Sequence, residues 1–264
     1  MSDGRAHEPR SAGAERRQEE LLALVRRDGR LDVGPTAARL GVTQETLRRD
    51  LRTLEAAGLV RRSYGAAFPV EAGRFETTFE ARRSSNSAEK SRIARAAAAQ
   101  LGRAQTVYLD EGFLPLLVGR MLPADRSLTV VTSSLPAARE LAEKDGIEVI
   151  IVGGRVRPAT YATVDHGHDS MLHRLAIDLA YMGANGIDPE RGLTTPHPVV
   201  ATVKQAAMAA AKRRIFVGSH TKFGASSFVR FANVGDFEML ITGEELPSRH
   251  TIAFAHLGPK LVRV

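Results

Sequence analysis

Thr43, Gln44, Thr46, Arg48, Arg49 and Arg52 crowd into one short stretch, and Arg62 and Tyr64 follow closely. Guanidinium, amide and hydroxyl groups at this density suit hydrogen bonds to phosphates and base edges, guanine above all. Further along, five stretches collect glycines, hydroxyls and charges: Asp110-Glu111-Gly112, Thr132-Ser133-Ser134, Gly153-Gly154-Arg155, Gly183-Ala184-Asn185-Gly186-Ile187-Asp188 and Gly218-Ser219-His220-Thr221-Lys222-Phe223-Gly224. Bare amides, hydroxyl donors and a lysine are what a bound phosphate requires. Asp165-His166-Gly167-His168-Asp169 has imidazoles and carboxylates at a spacing that can ligate zinc or manganese. No further ligand clusters with it in sequence, so a polar loop before a helix is expected and no metal or cofactor is assigned. His220 and Lys222 lack a nearby nucleophile or second carboxylate, so Lys222 is read as an anion anchor rather than half of an acid-base pair.

The elements that must position the first group are short helices. Thr43 is a good N-cap, Glu45 puts an acid in the first turn, and Gly58 can end the helix in a left-handed conformation. Leu47, Leu51 and Leu54 form one apolar stripe, with Glu45, Arg48, Arg49 and Arg52 on the opposite, solvent side. Asp50 falls near the apolar edge and is expected to pair with an arginine rather than touch DNA. Upstream, Thr36–Leu40 reads as a short helix broken at Gly41. Two helices joined by a tight glycine turn are the helix-turn-helix pattern, whose second helix enters the major groove. Leu59–Ala67 reads as a basic hairpin, a wing beside that helix. Arg16–Asp28, with Leu21, Leu22 and Val25 facing inward, is expected to complete a three-helix unit, and Leu31–Val33 can pair with the wing.

Thr46-Leu47-Arg48-Arg49-Asp50-Leu51, Leu54-Glu55 and Gly58-Leu59-Val60-Arg61-Arg62 resemble the DNA-binding domain of the DeoR family of bacterial transcription regulators. That family's wing usually reads Arg-Thr-His-Gly-Gly-Ala; here it is Arg62-Ser63-Tyr64-Gly65-Ala66-Ala67. The resemblance implies a double-stranded DNA operator as partner.

Composition sets outer bounds. The 264 residues suit one small and one medium domain. Residues 1–70 hold thirteen arginines and ten acids of a chain whose net charge is +7, so the basicity is spread and is weak evidence for DNA by itself. Cysteine is absent, which excludes disulfides and thiolate chemistry. No apolar run approaches membrane-spanning length and the start lacks a signal-peptide core, so a cytoplasmic protein with no membrane partner is expected. The expected division is a disordered leader over 1–15, a winged helix-turn-helix domain over 16–70, a linker over 71–86 and an α/β sensor over 87–264.

Beyond the linker the period changes. Ser87–Leu101 is an alanine-rich helix. Short β-rich runs follow at Thr106–Leu109, Leu128–Val131, Val149–Val152, Leu179–Met182, Ile215–Val217, Met239–Ile241 and Thr251–Phe254. Helical stretches separate most of them: Pro115–Met121, Pro136–Glu143, Ser170–Leu175 and Val199–Arg213. This alternation implies a doubly wound, mainly parallel, Rossmann-like sheet, with ligands beyond the carboxyl ends of its strands.

These segments are similar to the sensor domain of DeoR-type regulators, which is related in fold to ribose-5-phosphate isomerase and binds phosphorylated sugars. The resemblance covers most of residues 17–245, including Glu89-Lys90-Ser91-Arg92-Ile93-Ala94, Gly153-Gly154, Gly183–Asp188, Lys204 with Met208, and Thr221–Gly224. It implies an effector site drawn from Asp110, Gly112, Thr132, Ser133, Gly153, Gly154, Gly183, Lys204 and Lys222. The family's first loop usually carries two threonines, where Phe113-Leu114 stand here, so that loop's hydroxyl contribution is lost. Its fifth loop usually begins with aspartate, where Ser219 stands.

The expectation is therefore a DNA-binding regulator and not an enzyme, a repressor of carbohydrate genes controlled by a sugar phosphate or related metabolite. Repeated operator half-sites would require a homo-oligomer, at least a dimer. The alternatives are a sugar-phosphate isomerase-like enzyme carrying a DNA-binding domain, which lacks a convincing acid-base constellation, and a purely architectural DNA binder, which leaves the larger domain without a role.

Overall fold

The computed structural model describes residues 10–28, 31–63, 66–69, 78–164, 171–254 and 256–264. The chain divides into two compact units, 1–70 and 71–264.

In the first unit, α1 (Arg10–Asp28), β1 (Leu31–Asp32), α2 (Val33–Arg39) and α3 (Gln44–Ala56) precede a hairpin of β2 (Val60–Ser63) and β3 (Ala66–Pro69). Leu21, Val25, Val33, Ala37, Leu47, Leu51, Leu54 and Val60 form its core. Strand β3 pairs with both β1 and β2, all antiparallel, which ties the wing to the start of α2. Two boundaries differ from expectation. Helix α1 reaches back to Arg10 rather than starting at Arg16, so part of the expected leader is helical. Val33 opens α2 instead of extending the strand, because its side chain is needed in the helical core.

The second unit begins with α4 (Phe79–Ser84), inside the stretch expected to be linker, and α5 (Ser87–Ala98). Then come β4 (Thr106–Leu109), α6 (Phe113–Met121), β5 (Leu128–Thr132), α7 (Leu135–Ala142), β6 (Ile147–Ile151), β7 (Arg155–Arg157) and β8 (Ala162–Val164). Further along the chain follow β9 (Ile177–Met182), β10 (Gly186–Asp188), β11 (Gly192–Thr195), α8 (Pro198–Ala210), β12 (Ala211–Val217), β13 (Val229–Ala232), β14 (Met239–Thr242), α9 (Ser248–Phe254) and β15 (Lys260–Arg263). Seven strands make one parallel sheet in the order β15-β14-β12-β9-β4-β5-β6. From β4 the chain winds outward to β5 and β6, and then returns to β9 and winds the other way. The switch point therefore lies between β4 and β9, where ligands of doubly wound sheets bind.

The sheet is covered on both faces, one core holding Ile93, Leu109, Leu116 and Ile241, the other Tyr108, Met182, Phe216 and Leu240. Two small antiparallel sheets, β7-β8 and β10-β11-β13, sit at the strand ends and were not expected; their strands are too short to show a period. Thr251–Phe254, expected as a strand, is part of α9. Phe254 is buried there against Phe223, with ring centroids 5.1 Å apart, and the edge of the sheet is taken by β15 instead. Helix α8 stops at Ala210 rather than Arg213. Residues 211–214 belong to β12, which starts with no intervening loop because Ala211 already pairs with Ile177. The expected helix over Ser170–Leu175 is a single 3-10 turn, Met171–Arg174, and Ser170 lies outside the described residues.

Candidate functional site

The reading surface rests on α3. The Thr43 hydroxyl accepts from the Thr46 amide at 3.1 Å and fixes the helix start. Leu47, Leu51 and Leu54 are buried, which turns Gln44, Arg48, Arg49 and Arg52 to solvent. Asp50 is buried at the apolar edge and accepts from Arg17 of α1 at 2.5 and 3.2 Å, which raises the guanidinium's already high pKa. It is thus an internal partner, as the sequence indicated. The arginines are not equivalent. Arg52 donates to Glu45 at 2.5 Å and Arg48 to Gln44 at 3.2 Å. Arg62 on the wing donates to Glu55 through its amide and side chain at 2.9 and 2.6 Å, holding that carboxyl below its usual range. Among the described residues, only Arg49 of these four has no hydrogen bond or ion pair through its side chain. Tyr64 lies outside the described residues.

At the switch point of the sheet, Asp110 directly follows β4 and Gly183 directly follows β9. The Asp110 amide donates to the Tyr181 carbonyl at 3.1 Å, and the Gly183 amide donates to Asp110 Oδ2 at 2.8 Å. The same oxygen takes the Lys204 ammonium of α8, which also donates to the Gly183 carbonyl at 3.2 Å and lies 5.4 Å from the centre of the Phe231 ring. Asp110 and Lys204 are both buried. Burial pushes the Asp110 carboxyl above its usual range, with Lys204 and the Gly183 amide opposing and Glu111 adding to the rise. Asp110 Oδ1 is buried and, among the described residues, accepts no hydrogen bond.

Glu111 was not singled out for the site, yet it is buried beside Asp110. It accepts from Thr160 at 2.9 Å and lies 3.8 Å from Arg157, both carried by the β7–β8 hairpin. Burial alone would raise its carboxyl; Lys204, Arg82, Thr160 and Arg157 together hold it below its usual range. The signal that could have found it was its place one residue after Asp110. Arg157 and Thr160 come from a hairpin whose pairing was not visible in the sequence.

The other expected residues divide. Gly112, with φ of 112°, starts α6, and a side chain on it would approach the Arg82 guanidinium at 3.5 Å. The Thr132 hydroxyl donates to the Leu109 carbonyl at 2.7 Å and accepts from the Ser134 amide at 3.0 Å, so it locks the strand end. Ser133 Oγ lies 3.3 Å from the buried Tyr108 hydroxyl. Gly153 and Gly154 are exposed in the turn after β6, two strands away from β4, with Gly154 at a φ of 129°. Lys222 is half-buried in the 3-10 turn after β12, two strands away on the other side. Asp110, Gly183 and Lys204 are therefore in mutual contact. Asp165–Asp169 lies outside the described residues.

An arginine-faced second helix with a wing, joined to a doubly wound unit holding a buried polar cluster at its switch point, defines a ligand-responsive DNA-binding regulator. Residues 17–71 match the DeoR-like helix-turn-helix domain and residues 85–244 the DeoR C-terminal sensor domain. The HTH-type transcriptional regulator GlpR of Haloferax volcanii is 36% identical over 87% of this chain and 89% of its own. The glycerol-3-phosphate regulon repressor of Haemophilus influenzae is 27% identical over 86% and 89%. The chain belongs to the DeoR family of transcriptional regulators, and is a regulator rather than an enzyme. A solved ribose 5-phosphate isomerase A from Methanocaldococcus jannaschii is similar over 53% of this chain and 55% of that one, at 17% identity and a TM-score of 0.38, too distant a likeness to argue from. Among the described residues, no helix is long and apolar enough to cross a membrane.

Proposed function

We propose that the protein is a cytoplasmic, homo-oligomeric repressor whose operator affinity is controlled by a phosphorylated sugar or polyol bound at the switch point. Asp110 Oδ1 carries the effector half of this reading. It is a buried carboxylate oxygen with no hydrogen bond, and a carboxylate can only accept. A polyol hydroxyl is the donor that fits it, and the neighbouring cations suit an anionic group on the same ligand. The Haemophilus influenzae relative, named for a glycerol-3-phosphate regulon, is consistent with that chemistry. Exposed Gln44, Arg48 and Arg49 support groove reading, and pairing of two half-sites favours a dimer or larger assembly.

Calorimetry on the full chain with glycerol 3-phosphate and fructose 6-phosphate, beside glycerol and fructose, tests the reading. A gel-shift series on DNA selected by the protein from a random pool accompanies it. A phosphorylated compound should bind at least tenfold tighter than its parent and weaken DNA binding. Equal affinity for phosphorylated and free forms, or no effect of any of the four on DNA binding, would overturn the effector assignment.

A further inference from the structure

A second polar cluster lies apart from the one around Asp110 and Lys204. Glu89 is buried in the first turn of α5. His220 opens the 3-10 turn after β12; its amide donates to Glu89 Oε1 at 2.7 Å, and its Nδ1 lies 3.0 Å from Glu89 Oε2. Glu245 follows β14 in a tight turn closed by the Leu246 amide on the Gly243 carbonyl at 3.2 Å. One ligand atom from each of the three side chains falls within 4.8 Å of the other two.

We propose that Glu89, His220 and Glu245 bind a divalent transition-metal ion, with zinc the fitting occupant. One imidazole nitrogen and two carboxylate oxygens suit zinc or manganese, and zinc binds a given nitrogen-oxygen set more tightly than manganese. Zinc bonds of about 2.0–2.2 Å place tetrahedral ligands roughly 3.3 Å apart. The existing 3.0 Å between Nδ1 and Oε2 is close to that spacing.

The site is built from its surroundings as well as its ligands. Glu89 is oriented by the His220 amide through Oε1, which leaves Oε2 beside the imidazole, the kind of outer support that fixes a metal-binding carboxylate. Gly243 has no side chain, and a Cβ there would collide with both Glu89 and Glu245, so the two carboxylates converge over a bare backbone. Arg92 donates to Glu245 Oε1 at 2.6 Å and to the Val264 carbonyl at 3.1 Å. It neutralises one oxygen and leaves Oε2, which packs over Gly243, to face the cluster. The half-exposed His220 and exposed Glu245 leave a route for the ion and room for water as the fourth ligand. A bound ion would staple three separate elements, α5, the turn carrying Lys222, and the loop after β14.

The full chain, stripped with a chelator and dialysed, is titrated with zinc chloride by calorimetry and by competition with a chromophoric chelator. One zinc per chain is expected. His220→Ala and Glu89→Gln should each weaken it by at least about tenfold, and Glu245→Gln, a surface change that spares the fold, should weaken it measurably. His166→Ala/His168→Ala removes the rival histidines and should leave affinity and stoichiometry unchanged. Cobalt in place of zinc should give visible bands of nitrogen-oxygen coordination, lost in His220→Ala. No zinc uptake by the wild type, unchanged affinity in both His220→Ala and Glu245→Gln, or loss of the site only in the His166/His168 variant would each overturn the assignment.

Discussion

Replacing Lys204 with methionine removes the cation from a buried pair while keeping most of the side chain's volume. The Lys204 and Asp110 side chains are 3% and 1% exposed, so neither charge has solvent to fall back on. Breaking such a pair from one side costs about 3–5 kcal/mol, because the remaining charge stays buried without its partner. For a unit of this size each kcal/mol moves the melting temperature by roughly 2–4 °C, so Lys204→Met should lower it by about 6–20 °C. Some relief comes from Asp110 taking up a proton, toward which burial already pushes it. The double variant Lys204→Met/Asp110→Asn removes both charges, and should recover most of the loss, since neutral replacements of buried ion pairs are often tolerated. Thermal and urea melts of the four proteins, wild type, both singles and the double, form the cycle. A loss below about 1 kcal/mol in Lys204→Met, or a double variant no more stable than that single, would show that the pair is not the buried, mutually dependent unit described above.

Arg49→Ala should lower affinity for the selected DNA by about 1–3 kcal/mol if the side chain reads a guanine, with gel shifts at several salt concentrations as the readout. Unchanged affinity and unchanged salt slope would remove α3 from the interface. Arg62→Ala should weaken selected and random DNA about equally, as a contact that positions without naming bases does; a loss confined to the selected DNA would mean that the wing reads sequence. Asp178 accepts from the Gln105 and Thr106 amides at 3.1 Å each and from Lys212 at 3.0 Å, which holds its carboxyl far below the usual range. Its contribution is therefore fully present above the unfolded carboxyl value near pH 4 and is lost as the pH falls toward the depressed native value. Urea melts should show Asp178→Asn less stable than wild type at neutral pH, with the gap closing in acid; a constant gap would refute that assignment.

The reader domain was legible because its signals are local. Thr43, the Leu47-Leu51-Leu54 stripe and Gly58 each act within a turn or two, and even Asp50 could be recognised as an internal partner from its place on the helix, though not that Arg17 would be the arginine. Six of the seven parallel strands were legible as apolar runs. What failed were short segments whose conformation depends on distant partners. Residues 251–254 look like a strand, but Phe254 is drawn into a pocket beside Phe223, and the edge position goes to Lys260–Arg263. Ala211–Arg214 look helical, but β9 offers them a ladder. The hydroxyls of Thr132 and Ser133 do stand at the carboxyl end of β5, yet Thr132 spends its hydroxyl on the backbone, which its type cannot reveal. Lys204 was marked only by family resemblance, and its partner stands 94 positions away.

The abrupt passage from α8 into β12 carries a consequence for how this chain can vary. Most junctions between a helix and a strand have a few residues of slack, in which length changes are absorbed. Here Ala210 is helical and Ala211 is already paired in the sheet. One residue inserted between Lys204 and Ala211 would turn the lysine by about 100° relative to the strand. Were the strand to slip instead, its inward and outward faces would exchange. Neither accommodation preserves both the Asp110 contact and the pairing with β9. This joint should therefore tolerate substitutions far better than insertions or deletions. In a library of single-residue insertions it should stand out as a gap, while the exposed turn at Gly153-Gly154 accepts them.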